Sequence, residues 1–179
     1  MGKTDDPELI ARCLDGDRKS FEMLLIRYEK PVFNAAFRML HNKEDARDVT
    51  QTVFLKVYEN LDRYDPRFRV FSWIYRIAMN EAIDCLNKRD RTETIEDESA
   101  DPGSGPEQET RNAQLRNDLQ TALMSIKPEY RTVVVLKHFL DCSYFEISEI
   151  LDLPEKTVKS RLFAGRQLLK DVLTRSGTY

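Results

Sequence analysis

Two stretches of this chain hold residue types whose spacing suits contact with nucleic acid. In residues 64–76, Tyr64, Phe68, Phe71, Trp73 and Tyr75 interleave with Arg67, Arg69 and Arg76. Flat rings stack on unpaired bases, and guanidinium groups neutralise phosphates. Separating two strands needs that binding energy and no catalytic group, because unstacking a base costs a few kcal/mol. Phe71 and Trp73 also fit the spacing of a helical core, so Tyr64, Arg67, Phe68 and Arg69 are the stronger contact candidates. The second stretch is residues 155–175, with six Lys or Arg against two acids. Val158, Leu162 and Leu169 fall on one side of it, and Lys156, Lys159, Ser160, Phe163 and Gln167 on the other. A narrow basic helix suits a major groove, where Lys and Arg pair with phosphates and guanine edges. A solvated face on an ordinary helical hairpin has the same local pattern.

The elements that must position these residues read as helices throughout. Ser143 followed by Glu146 is a capping box, which starts a helix carrying Ile147, Ile150 and Leu151 on one side. It stops at Asp152-Leu153-Pro154, and a second helix starts at about Glu155. Two helices joined by so short a turn, the second one basic, have the form of a helix-turn-helix. Asp6-Pro7-Glu8 reads as an N-cap, a proline at the first helical position and an acid at the positive end of the dipole. A helix from Lys19 to Tyr28 follows, and Pro31 is expected to break or restart it before the segment ending at Leu40. Asn42 opens a long helix with Ala46, Val49, Val53, Val57 and Leu61 inward. A loop at 62–69 precedes a helix from about Val70 to Lys88 with Ile74, Ile77, Ala78, Ala82 and Leu86 inward. Further helices are expected at 108–126 and 128–139. The period is 3.6 residues, and no segment alternates as a strand does.

The whole chain of 179 residues has a net charge of −3, which at first argues against a nucleic-acid partner. Residues 92–110 hold seven acids and no Lys or Arg; without them the balance is −3 + 7 = +4. The same segment contains Asp101-Pro102-Gly103-Ser104-Gly105-Pro106 and reads as a flexible acidic linker. It divides the chain into 1–91 and 111–179, two all-α halves expected to move independently unless a partner holds them. Cys13, Cys85 and Cys142 are scattered, and His41 and His138 are isolated, so neither a disulfide framework nor a metal site is expected. There is no phosphate-binding Gly loop and no His beside a nucleophile, which argues against an enzyme or a bound cofactor. No apolar run approaches the ~20 residues that span a bilayer, and the N-terminus has no secretory apolar stretch, so no membrane insertion and a cytoplasmic location are expected.

The run Asn42-Lys43-Glu44-Asp45-Ala46-Arg47-Asp48-Val49-Thr50-Gln51-Thr52-Val53-Phe54-Leu55-Lys56-Val57-Tyr58 closely resembles region 2.2 of bacterial extracytoplasmic-function sigma factors. Phe71-Ser72-Trp73-Ile74-Tyr75-Arg76-Ile77-Ala78-Met79-Asn80-Glu81-Ala82-Ile83-Asp84 resembles their regions 2.3 and 2.4. Ile126-Lys127-Pro128-Glu129-Tyr130-Arg131, with Leu153-Pro154-Glu155-Lys156-Thr157-Val158-Lys159-Ser160-Arg161-Leu162, resembles region 4. The pieces come in the family's order and spacing across nearly the whole chain.

The resemblance implies a detachable initiation subunit of RNA polymerase. Asp48, Gln51, Thr52 and Leu55 would meet the clamp helices of the large polymerase subunit, and the C-terminal half its flap. Lys56, Tyr64, Arg67, Phe68, Arg69, Arg76 and Asn80 would handle minus-10 DNA, with the 62–69 loop capturing a flipped base. Asn80 can both donate and accept, which suits a base edge. Lys156, Thr157, Lys159, Ser160, Phe163 and Arg166 would read minus-35 DNA. An anti-sigma factor is implied as a further partner. The family often has Arg followed by Ala where this chain has Ala164-Gly165, so a DNA contact is expected to be missing there; Gly165 should also cost about 1 kcal/mol of helix stability relative to Ala. A helix-turn-helix regulator that is not a polymerase subunit is the competing reading. Such a regulator has no use for the aromatic-basic segment at 64–76.

Overall fold

The computed structural model describes residues 5–93 and 110–175. Every regular element among them is helical. The order is α1 (Asp6–Leu14), α2 (Arg18–Leu40), α3 (Lys43–Glu59), a single 3₁₀ turn (Leu61–Arg63), α4 (Val70–Glu93), α5 (Thr110–Met124), α6 (Pro128–His138), α7 (Tyr144–Leu151) and α8 (Glu155–Arg175).

The N-terminal unit packs α2, α3 and α4 around a core that includes Leu24, Val32, Ala36, Met39, Val53, Val57, Ile74, Ala78 and Met79. The expected inward positions of α3 are all buried, and Asn42 caps the helix by accepting from the amides of Glu44 and Asp45. Two expectations are corrected. The cap of α1 is Asp5, whose carboxylate accepts from the Asp6 amide at 2.9 Å. Asp6 is instead held by Arg27 and Tyr28 of α2. Pro31 does not end its helix, and α2 runs through it to Leu40. Proline removes one amide donor, but Leu24 and Tyr28 before it and Val32, Ala35, Ala36 and Met39 after it lie on one buried stripe. Packing of that stripe outweighs the lost hydrogen bond. The left-handed residue His41 (φ 52°) then turns the chain into α3.

In the C-terminal unit α6, α7 and α8 enclose Val133, Val135, Leu136, Ile147, Ile150, Val158 and Leu162. The capping box at Ser143 is present: its hydroxyl accepts from the Glu146 amide at 3.1 Å, and Glu146 accepts from the Ser143 amide at 2.8 Å. Asp152, in left-handed conformation (φ 53°), ends α7 and starts the turn to α8. Gly165 is buried where α8 crosses α6. A Cβ there would meet Val134 Cγ2 at 2.9 Å and the Tyr130 carbonyl oxygen at 3.3 Å. The glycine is therefore a packing residue facing α6; Ala164, the position where the family often has Arg, is half-buried beside it.

The two halves lie against one another. α2 meets α5 and α6, and α4 meets α7. Arg131 of α6, 5% exposed, donates to the Met39 carbonyl at the end of α2 (2.5 Å). The same guanidinium donates to the carbonyls of Met124 (2.8 Å) and Ile126 (3.1 Å) at the end of α5. Buried Gln120 exchanges two hydrogen bonds with Arg38, whose guanidinium lies 4.5 Å from the Phe139 ring centroid. The units read as independent in sequence thus share a polar and aromatic contact. The expected linker at 92–110 falls, apart from its helical ends, outside the described residues.

Candidate nucleic-acid and polymerase interfaces

Helix α3 turns its apolar side to the core, which leaves Asp48, Gln51 and Leu55 exposed along one stripe. Leu55 is 57% exposed, unusual for leucine on a polar face. Thr52 is half-buried and donates to the Asp48 carbonyl at 2.9 Å. Lys56, the next residue round the helix, points to α4 and pairs with Glu81, the neighbour of exposed Asn80. This ordered stripe of mixed polar and apolar groups suits a partner helix.

The loop between the 3₁₀ turn and α4 is tied by its own side chains. Tyr64 packs against Trp73 with its ring tilted (5.3 Å between centroids), and its hydroxyl donates to the Phe68 carbonyl at 2.6 Å. The Phe68 amide donates to the Asp65 carbonyl at 3.0 Å. The Arg67 guanidinium forks onto the Asp65 carboxylate at 2.6–2.9 Å, and that pairing lowers the Asp65 pKa. These closures leave Phe68 and the outer face of Arg67 to solvent. Tyr64 is half-buried and acts as the strut of the loop. Trp73 and Phe71 are half-buried against the core, and Tyr75 is fully buried beneath Phe71.

Arg76 follows along α4, with its guanidinium 5.9 Å from the Phe68 ring. The loop and α4 therefore bring Phe68, Arg69, Arg76 and Asn80 to one side of the molecule. That side already has an occupant. Arg69 pairs with Glu146, Ser72 donates to Glu149 Oε2 at 3.1 Å, and Arg76 donates to the Glu149 carbonyl at 2.5 Å. Nothing local in sequence signals these long-range contacts.

On α8, Lys156, Lys159, Ser160, Phe163 and Arg166 are exposed and Thr157 is half-buried. Phe163 is 67% exposed, the largest value for any aromatic among the described residues. Lys159 is held between Glu155 (3.3 Å) and the face of Tyr144 (5.3 Å to its centroid), an aromatic support that sequence reasoning missed. Arg166 Nε donates to His138 Nε2 at 3.1 Å. Burial, then Arg166 and Lys137, hold the His138 pKa below the usual 6.5. Six candidate residues thus lie on the outer side of a helix braced from behind by α6 and α7. Among the described residues no cluster of His, Cys, Asp and Glu could hold a metal ion. No described helix is long and apolar enough to cross a membrane.

The chain is similar to known proteins over nearly its whole length. The sigma-70 region 2 family matches residues 24–92, and the sigma-70 region 4 family matches residues 116–169. The ECF RNA polymerase sigma factor SigW of Bacillus subtilis is 32% identical over 92% of this chain and 94% of its own length. The ECF RNA polymerase sigma-E factor of Escherichia coli is 31% identical over 92% of both chains. The structure of CnrH in complex with the cytosolic domain of CnrY superposes with a TM-score of 0.75 at 24% identity, covering 95% of this chain and 97% of that one. At that identity the likeness carries the fold alone. The chain belongs to the extracytoplasmic-function sigma factors of the sigma-70 superfamily.

Proposed function

We propose that the chain confers promoter choice on RNA polymerase through three separate faces. The exposed stripe of α3, with Asp48, Gln51, Thr52 and Leu55, docks on the clamp helices of the large subunit of core polymerase. The 62–69 loop and α4, with Tyr64, Arg67, Phe68, Arg69, Arg76 and Asn80, capture the opened minus-10 strand, and Lys56 supports them from α3. The outer face of α8 reads the minus-35 element with Lys156, Thr157, Lys159, Ser160, Phe163 and Arg166. In this reading residues 1–91 act as the region 2 domain, 92–110 as the link and 111–179 as the region 4 domain, which also meets the flap.

The observation that carries the reading is the presence in one chain of an aromatic-basic loop and a basic helix-turn-helix. Opened strands are held by stacking and phosphate neutralisation, and duplex is read by a helix in its major groove; a subunit that starts transcription needs both. The chain is not an enzyme, because bond formation belongs to the polymerase it directs. Its place of action is the cytoplasm, where the polymerase works, and an anti-sigma factor that competes for the same faces is its regulatory partner. Run-off transcription with core enzyme on a library of genomic fragments tests the proposal. Discrete start sites that depend on the chain support it. Binding to duplex fragments with no dependent transcript would favour a helix-turn-helix regulator instead.

A further inference from the structure

We propose that Glu81 is a specificity-determining residue of the strand-capture site: by pairing with Lys56 it turns a phosphate-binding cation into a neutral donor–acceptor pair, which selects a base carrying an exocyclic amine, cytosine or adenine, over thymine. The inference deepens the reading of the 62–69 loop and α4 as the minus-10 site and rests on it. Asn80 follows Arg76 by four residues, so the two share a face of α4. Glu81 is the next residue, and its Oε1 accepts from Lys56 Nζ, which reaches across from α3. The Glu81 side chain is 16% exposed and that of Lys56 45% exposed. The pair therefore lies at the surface beside Asn80, with the anion the more sheltered partner.

Charge and donor count decide what such a pair can recognise. A free lysine attracts any phosphate, whatever the sequence. Held against a carboxylate, the ammonium adds no net charge to the site, yet hydrogen-bonding capacity is left over. An ammonium has three donors and a carboxylate two acceptor oxygens. Glu81 Oε2 and the Asn80 amide make no hydrogen bond among the described residues. A donor beside an acceptor complements an amine next to a ring nitrogen, as at N4 and N3 of cytosine or N6 and N1 of adenine. Thymine has no amine, and its one donor, N3–H, lies between two carbonyl oxygens that a carboxylate repels. On the pairing edge of guanine the amine adjoins N1–H, a second donor, which would face the ammonium. In water an exposed ion pair is worth little. A base that covers it excludes water and strengthens each charge-assisted hydrogen bond.

The test uses the full chain bound to core polymerase, with core enzyme alone as the blank. Competition anisotropy compares three short single strands: thymine throughout, and the same strand with one cytosine or one adenine at its centre. Wild type should bind the substituted strands at least about fivefold more tightly, the low end of what a paired base contact discriminates. Glu81→Gln should lose that preference, because the amide can donate to a thymine carbonyl. It should also bind all three strands more tightly and steepen the salt slope by about 0.7, the value for one freed cation on a single strand. Lys56→Met combined with Glu81→Gln removes both charges, so it should lose the preference at an unchanged slope. Circular dichroism checks that both variants keep their helix content. A wild type without the preference overturns the proposal. So does a Glu81→Gln protein that keeps the preference, or one whose salt slope does not change. Phe68→Ala separates this idea from the reading beneath it, since loss of stacking should weaken all three strands alike. If Phe68→Ala weakens them and Glu81→Gln changes nothing, the role of Glu81 falls and the minus-10 site stands. If Phe68→Ala costs no binding, the site itself falls, and the role of Glu81 with it.

Discussion

Gly165 shows how a residue's sign can reverse between chain and fold. On helix propensity alone, alanine at this position would gain about 1 kcal/mol. In the fold the added Cβ would press on Val134 Cγ2 at 2.9 Å and on the Tyr130 carbonyl oxygen at 3.3 Å. Overpacking of that kind costs roughly 1–3 kcal/mol, and a backbone carbonyl has little room to yield. Gly165→Ala is expected to lower the urea midpoint at unchanged slope. A midpoint that rises would mean α6 and α8 separate easily.

His138 gives a pH dependence whose sign follows from its surroundings. Burial, then Arg166 and Lys137, depress its pKa below 6.5, and burial followed by Arg38 does the same for His41. The unfolded chain therefore takes up protons before the folded one does. Their contribution to stability is complete above about pH 6.5 and is lost as pH falls from there through the folded values. Asp17, Asp65 and Glu146 also have depressed pKa values, but they titrate in the carboxylate range, in a lower and separate window. Urea melts from pH 7.5 down to about pH 5.5 should show a decline that His138→Gln reduces. An identical decline in the variant would assign the effect to other groups.

At the scale of elements, each face is a helix side left over once the core side is buried. For α3 this predicts that Asp48→Ala with Gln51→Ala weakens capture of core polymerase while changing stability by no more than about 0.5 kcal/mol, as is usual for exposed positions. A pull-down of core enzyme unaffected by the double change would falsify the α3 assignment. For α8, Lys159→Ala and Phe163→Ala should impair binding to duplex carrying the upstream element and spare opening of a pre-melted template. Phe68→Ala or Asn80→Ala should do the reverse. Removing one phosphate contact should also reduce the salt slope of binding by about one unit. Equal loss on both templates by the α8 variants would end this division of labour. Permanganate reactivity measures opening, and anisotropy measures duplex binding.

At the scale of the molecule, Arg131 fastens the halves. Its guanidinium serves the carbonyls of Met39, Met124 and Ile126, so it ties the end of α2 to the end of α5. Hydrogen bonds from a charged donor are worth about 1.5–3 kcal/mol. Arg131→Ala should therefore lower the thermal midpoint and loosen the contact between halves, read by scattering on the same sample. A variant as stable and as compact as wild type would show that Gln120 and Phe139 hold the halves without it.

Much of this was legible from the chain itself, because helices are local. The 3.6-residue stripes located α3, α4 and α8. The capping box at Ser143 located the start of α7, and the charge of residues 155–175 marked the outer face of α8. Local chemistry failed where packing outweighed it. Pro31 could not break a helix whose flanking turns are both buried, and Gly165 answered to Val134 rather than to helix propensity. Tyr75, placed by sequence in an aromatic-basic segment, went wholly into the core. The docking of the halves left no trace in the chain. An acidic, Pro- and Gly-rich stretch argues for halves that move unless a partner holds them, and only the tertiary structure placed Glu146 and Glu149 against α4. Hydrogen bonds between residues more than seventy positions apart, such as Ser72 with Glu149 and Arg131 with Met39, leave no periodic trace in a sequence. Local propensity determined which faces the chain would have. Long-range packing decided which of them are covered.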